Sequence, residues 1–173
     1  MERLPHEAAL GAFVGNELSN PSTLMGLGRS AGVFFEYGDI ETSHRIERCD
    51  GGFVVVDRDR AREHRAAQFS HVDDAERFVA IRDGLGRSAG PWFEGRATAP
   101  DDVQVTVVRE TWTFSWRDRS DEHVVRAFGV PEARAAYRLC RVRALAFERV
   151  MEVVISPSPM RQLRELGALG GAS

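Results

Sequence analysis

The sequence predicts an α+β fold in which an antiparallel sheet of sequential hairpins carries helices packed on one face. Three observations support this prediction. Segments with period-2 alternation come in pairs that are joined by short turns such as Asp50-Gly51. Helical stripes precede, separate and follow these pairs. No strand–helix–strand rhythm is present, so a parallel sheet is not expected.

The chain opens with a predicted helix from Pro5 to Leu18, because Leu10, Phe13 and Val14 fall on one apolar stripe. Pro21 stops it, since proline and the residue before it both resist helical geometry.

Strands follow, and each is predicted from alternation or from a short apolar run: residues 33–37, 40–47 and 53–56. The second and third form a hairpin that turns at Asp50-Gly51, with Ile40 and Ile46 facing inward. The segment from Arg58 to Phe69 fits either a fourth strand or a loop.

A second helix is predicted from Ser70, which forms a capping box with Asp73. Gly84 and Gly86 are expected to end it. Its inner stripe consists of Ala75, Phe78, Val79 and Leu85.

Strands resume at residues 103–107, 112–116 and 122–128, with a polar turn from Arg117 to Asp121. Two helices end the pattern. Pro131 is expected in the first turn of one helix, and the apolar segment from Val142 to Ile155 is expected to be buried.

The length of 173 residues predicts one domain, 1–173, with a helix and loop over about residues 1–30 and a loosely ordered tail over 157–173. The N-terminus lacks the basic and apolar regions of a signal peptide, and no apolar run reaches the ~20 residues that span a bilayer. We therefore expect a cytoplasmic protein without a membrane partner, and free thiols at Cys49 and Cys140.

All 23 basic residues are arginine, a bias typical of GC-rich genomes such as those of actinobacteria. These arginines alternate with acids, as in Arg117-Asp118-Arg119, and the net charge is −3. Without a basic block, nucleic-acid binding is not expected.

No catalytic, cofactor or metal motif is present in the sequence. The five histidines show no pair at metal-ligand spacing, so neither a metal nor a cofactor is expected. His44 lies on the apolar face of a strand, which is typical of a core histidine with a hydrogen-bonded partner, although a catalytic role stays open. Asp57 and Asp59 are expected at a solvated strand end, paired with neighbouring arginines.

Trp112, Phe114 and Trp116 place three large aromatic side chains on one face of a strand. We favour a core layer beneath the helices, while a ligand pocket or a binding hot spot stays open.

Three stretches carry a resemblance to a known family. They are the hairpin that ends in Cys49-Asp50-Gly51-Gly52-Phe53-Val54-Val55-Val56-Asp57, the helix Val72–Val79 followed by Gly86-Arg87-Ser88, and the aromatic strand Thr111-Trp112-Thr113-Phe114. Over roughly Arg29 to Ile155 the chain resembles the bacterial immunity proteins related to the antitoxin of the mycobacterial tuberculosis necrotizing toxin. It departs from them at Gly90-Pro91-Trp92, where relatives carry Leu-Pro.

The resemblance implies a cytosolic antitoxin, not an enzyme, that occludes the active site of a cognate secreted toxin, in that case one that hydrolyses NAD. We expect a monomer or a 1:1 complex with the toxin. Polar loops that flank the aromatic strand, Ala97 to Gln104 and Arg117 to Asp121, are the expected contact surface. The partner-binding residues predicted within them are Asp101, Asp102, Gln104, Arg117 and Asp118.

Two other functions stay open from the sequence. One is a small enzyme or ligand-binding protein whose pocket is lined by Trp112, Phe114, Trp116 and His44. The other is a general cytosolic adaptor without a toxin.

Overall fold

The computed structural model describes residues 4–17, 31–39, 41–87 and 98–154, apart from the side chains of residues 15–17 and 85–87. The elements in chain order are α1 (Glu7–Glu17), β1 (Val33–Gly38), β2 (Thr42–Cys49), β3 (Gly52–Asp59), β4 (Arg62–Phe69), α2 (Val72–Arg87), β5 (Gln104–Val108), β6 (Thr111–Asp118), β7 (Asp121–Phe128), α3 (Val130–Val142) and α4 (Phe147–Val154). The seven strands form one antiparallel sheet in the order β1-β2-β3-β4-β7-β6-β5. The predicted α+β fold is therefore confirmed.

Two hairpin series meet in the middle of this sheet. Short turns connect β1 through β4, and other short turns connect β5 through β7. The chain joins the series through α2, and β7 pairs with β4 over Ala67↔Ala127, Gln68↔Arg126 and Phe69↔Val125. The two ends of the sheet are therefore β1 and β5.

The helices cover one face of the sheet, where cross-strand partners supply a continuous apolar layer. Phe78 of α2 packs on Phe69 of β4, with ring centroids 5.2 Å apart. Tyr137 of α3 meets Phe114 of β6 edge to face, at 4.8 Å. Ile46, as predicted, is fully buried in the same core. The β6–β7 turn, between Asp118 and Asp121, lies at one edge of the face that the helices cover.

The predicted hairpin is observed, since β2 pairs with β3 from Thr42↔Asp59 to Cys49↔Gly52. Gly51 has φ 81°, a conformation that glycine adopts without strain. The ambiguous segment is resolved as strand, because β3 runs to Asp59 and β4 begins at Arg62. Ile40 lies outside the described residues.

The prediction for α2 was wrong about its start and about Gly84, whereas the helix ends at Arg87, one residue after Gly86. Ser70 follows the last residue of β4 and is bonded to β7: its N–H donates to the Val124 carbonyl (3.0 Å) and its hydroxyl accepts the Val124 N–H (2.8 Å). Because that hydroxyl is engaged by β7, the helix begins at Val72. Gly84 does not end the helix but lies inside it, buried against Val154 and Phe13.

The other helices match their predicted positions. In α1, the stripe of Leu10, Phe13 and Val14 is buried. In α3, Pro131 occupies the first turn. The segment predicted to be buried as a whole is divided, since Val142 ends α3 and α4 begins at Phe147. In α4 one face is buried, with Phe147, Val150, Val153 and Val154, while Glu148 and Glu152 are exposed.

The aromatic strand is mainly core, as favoured from the sequence. Phe114 is fully buried and Trp116 is 4% exposed, whereas Trp112 is only partly buried. Cys49 and Cys140 are free thiols, as predicted, and burial raises the pKa of Cys140 to about 12. Among the described residues, no helix has the length and apolar character that crossing a membrane requires.

Candidate functional site

A cleft lies at the end of the sheet where β5, β6 and β7 meet the loop before β5. Its cavity has a volume of about 450 Å³. The lining residues come from the loop and from all three strands, and they include both acidic and basic side chains. They are Asp102, Gln104, Ser115, Trp116, Arg117 and Glu122. We refer to this site as the β6–β7 cleft.

Strand register brings the cleft residues together. Gln104 of β5 pairs with Ser115 of β6, and Arg117 of β6 pairs with Glu122 of β7. Because cross-strand partners share a face of the sheet, a cation and an anion stand side by side at the mouth of the β6–β7 turn. Arg119 in that turn has φ 54°, a left-handed conformation that closes the short connection.

The loop wall of the cleft is fixed by α3 and the residue after it. Arg141 donates to the Thr98 carbonyl (2.8 Å). Arg143 forms an ion pair with Asp102, and its guanidinium carbon lies 6.0 Å from the centroid of the Trp116 ring. Asp102 is thus a paired acid on an anchored loop, although 65% of its side chain is exposed.

Three of the five predicted partner-binding residues, Asp102, Gln104 and Arg117, line the cleft. The other two, Asp101 and Asp118, are exposed and belong to the same loop and the same strand. Ala97, the first residue of the predicted loop, lies outside the described residues. Sequence reasoning missed Glu122 and Ser115, which strand register alone could have indicated through their partners Arg117 and Gln104.

The alternative pocket of three aromatics and His44 does not fit the sheet order. His44 lies on β2, and β3, β4 and β7 separate β2 from the aromatic strand β6. Phe114 is buried under α3, and of the four residues Trp116 lines the cleft.

A stack of rings runs from the cleft towards α2. Trp116 stacks on His123 at a centroid distance of 5.2 Å, and His123 stacks on His71 at 4.0 Å. His123 Nδ1 lies 2.7 Å from Oδ2 of the buried Asp74. The hydrogen bond to Asp74 raises the pKa of His123 above its ordinary value, against the effect of burial.

Asp57 is not the solvated strand end that the sequence predicted. Its carboxylate lies 2.7 Å from His44 Nδ1 and 3.0 Å from an Arg82 nitrogen, and its side chain is 13% exposed. Burial alone would raise the pKa of Asp57, but His44 and Arg82 outweigh it, and the pKa lies below its ordinary value. Hydrogen-bonded His–Asp pairs orient general bases in enzymes. Here the shared ion pair with Arg82 ties α2 to β2 and β3.

Folding also gathers metal-ligand side chains that are distant in the sequence. Three groups of described residues each offer ligand atoms within 4.8 Å of one another: His71, Asp74 and His123; His6, Asp73 and Glu76; and Asp57, His64 and Glu132. Two groups contain a pair three residues apart, His71 with Asp74 and Asp73 with Glu76, but the remaining member of each comes from another element and gave no signal in the sequence.

No protein-family model and no curated protein sequence matches the chain. Among solved structures, Rv3902c from M. tuberculosis is a structural relative, with a TM-score of 0.53 and 13% sequence identity over 78% of this chain and 80% of that one. At this identity the likeness shows a shared fold.

Proposed function

We propose that this protein is an immunity protein that binds a cognate toxin domain at the β6–β7 cleft and blocks the toxin's active site. The observation that carries the proposal is that the cleft unites Asp102 from the loop and Gln104 from β5 with Arg117 and Glu122 from the β6–β7 hairpin. The sequence resemblance to bacterial immunity proteins supports a toxin domain as the partner. On this proposal the protein acts in the cytoplasm as a monomer or in a 1:1 complex, and it is not an enzyme.

The charges around the cleft support an anion-binding target. Exposed acids surround it at Asp101, Asp118 and Asp121, in addition to Glu122 in its lining. A toxin that hydrolyses NAD must hold the phosphates of an anionic dinucleotide, which cationic groups do best. Carboxylates can occupy those phosphate positions, so an acidic surface is a suitable inhibitor of such an enzyme.

The cleft also has the form of an interface centre. A rigid sheet end supplies its floor, and the Arg143–Asp102 ion pair fixes its loop wall. A preorganised concave site lowers the ordering cost of binding, and a partner side chain that fills such a pocket contributes strongly to affinity.

The test is binding to the C-terminal domain of the protein that the neighbouring gene encodes, which on this proposal is the toxin. We expect Arg117→Ala and Glu122→Ala each to weaken the complex by ~2–5 kcal/mol if their charges are desolvated there, mainly through faster dissociation. Asp59→Ala is the matched control, because Asp59 is an exposed acid at the β3–β4 turn, at the opposite end of the sheet. Parent-like binding by both cleft variants, with normal melting, would place the interface elsewhere.

A second candidate function, the binding of a small polar molecule, is favoured by the volume of the cleft, which lies within the usual range for ligand sites. Thermal shifts with a panel of small metabolites test this. Stabilisation that Arg117→Ala abolishes, together with no capture of the toxin domain, would support the ligand-binding function over the immunity function.

A further inference from the structure

Two histidines from distant parts of the chain are stacked face to face beside the cleft. His71 precedes α2 and His123 lies on β7, and their ring planes are 20° apart at a centroid distance of 4.0 Å. One nitrogen from each ring and one carboxylate oxygen of Asp74 all lie within 4.8 Å of one another. Asp74 is 3% exposed, whereas both histidines are partly exposed.

The chemistry of this set favours a transition-metal ion over calcium or magnesium. Imidazole nitrogens and a carboxylate are ligands of zinc, whereas calcium and magnesium take sets composed of oxygens. Three protein ligands leave one position of a tetrahedral zinc ion open to solvent or to a partner.

Hydrogen bonds already hold the three side chains. Asp74 Oδ2 lies 2.7 Å from His123 Nδ1. Ser70 Oγ lies 2.8 Å from His71 Nδ1, and the backbone N–H of Val124 donates to the same hydroxyl. Ligating histidines commonly donate their second ring N–H to an oxygen, and Ser70 supplies such an oxygen for His71.

The two other groups are poorer sites for a cation. In one, the Asp57 carboxylate already holds the Arg82 guanidinium at 3.0 Å, and this positive charge would repel a metal. In the other, Asp73 pairs with Arg77 at 3.1 Å. The partner that the structure gives for Asp74, in contrast, is His123, which is itself a metal ligand.

We propose that His71, Asp74 and His123 bind one divalent transition-metal ion, with zinc as the best fit. In the bound state the ion takes the place of the His123–Asp74 hydrogen bond, with a neutral imidazole and an ionised carboxylate as ligands. Because the lone pair of an imidazole nitrogen lies in the ring plane, one ion cannot bind both rings while they stack face to face at 4.0 Å, so binding turns one ring out of the stack.

The experiment uses the full chain, freed of metal by a chelator and then dialysed, and it needs no toxin. Calorimetric titration with zinc chloride should give one site per chain, and zinc should raise the Tm. Loss of a residue that only hydrogen-bonds to a metal ligand weakens metal affinity by about 10- to 100-fold. Loss of a ligand itself, in His71→Ala or His123→Ala, should therefore weaken zinc binding by at least about 100-fold. Cobalt should give a visible absorption band in the parent that both variants lack.

His64→Ala and His6→Ala are matched controls, since each removes one histidine from a competing group. They should bind zinc as the parent does. If His123→Ala does not fold, His71→Ala provides the same test from a partly exposed position outside the helix. The proposal fails if the parent binds no zinc, if both ligand variants bind it like the parent, or if a control variant loses the site instead.

Discussion

Gly84 of α2 lies directly against Val154 of α4, so closely that a Cβ atom on Gly84 would overlap Val154 Cγ1. The same Cβ would stand 2.9 Å from Cζ of Phe13 in α1. One glycine in the last turn of α2 is therefore the point at which three helices meet. Its role is close packing, since the helix continues past it to Arg87.

We expect Gly84→Ala to destabilise the protein by about 1–3 kcal/mol, although alanine is the better helix former by about 1 kcal/mol. The cause is the overlap with Val154, which lies in well-packed surroundings. Chemical denaturation measures the change in the free energy of unfolding. The double variant Gly84→Ala/Val154→Ala makes room for the new methyl group, so its loss should be smaller than the sum of the two single losses. Additive losses would contradict the packing explanation.

Phe114→Ala should cost ~3–5 kcal/mol of stability, because the ring is fully buried and packs edge to face on Tyr137. Trp112→Ala, on the same strand, should cost less, since Trp112 is only partly buried. Urea unfolding of both variants compares the two positions. A larger loss of stability for Trp112→Ala would show that packing near the start of β6 contributes more to stability than the partial burial of Trp112 indicates.

Stability should fall in acid partly through Asp57. Its pKa is lower in the folded chain than the ordinary value of 3.8, so folding is favoured by the ionised form. The contribution is fully present above pH ~4 and is lost as the pH falls through the folded-state pKa. Asp57→Asn should cost about 1–3 kcal/mol at pH 7, and the gap to the parent should narrow below pH 4. Asp59→Asn, an exposed position two residues along β3, is the control. A gap that stays constant with pH would contradict this role.

If the immunity proposal is right, the exposed acids Asp101 and Asp118 should act on the rate of association. Rim charges steer encounter without being desolvated, so Asp101→Asn/Asp118→Asn should lower the association rate at low salt and leave dissociation unchanged. Stopped-flow mixing with the toxin domain at several ionic strengths measures this. Faster dissociation of the double variant would instead place these acids inside the interface.

Much of the fold could be predicted because local patterns and the tertiary structure agree. The β2–β3 hairpin follows from alternation and from a glycine turn, and Ile46 is inward because a strand has period 2. Ser70 was misassigned because its hydroxyl has two possible uses, a helix cap or a bond to a neighbouring strand. That choice depends on β7, more than fifty residues away in the sequence.

The candidate site was predictable only in part. Asp102, Gln104 and Arg117 were expected at a surface because polar residues flank an aromatic strand, and they line the cleft. That Arg143 holds Asp102, and that Asp57 is an ion-pair centre, could not be foreseen, since both partners come from other elements.

Apart from β4, the sequence by itself determined the element types, the antiparallel pairing within the predicted hairpins and the buried stripes of the helices. These properties depend on periodicity and on turn chemistry over a few neighbouring residues. Only the tertiary structure decided that β7 would pair with β4, and thereby that His71, Asp74 and His123 would meet beside Trp116. Long-range pairing is set by the burial of the whole helical face, a sum over many distant contacts that no short window of sequence contains.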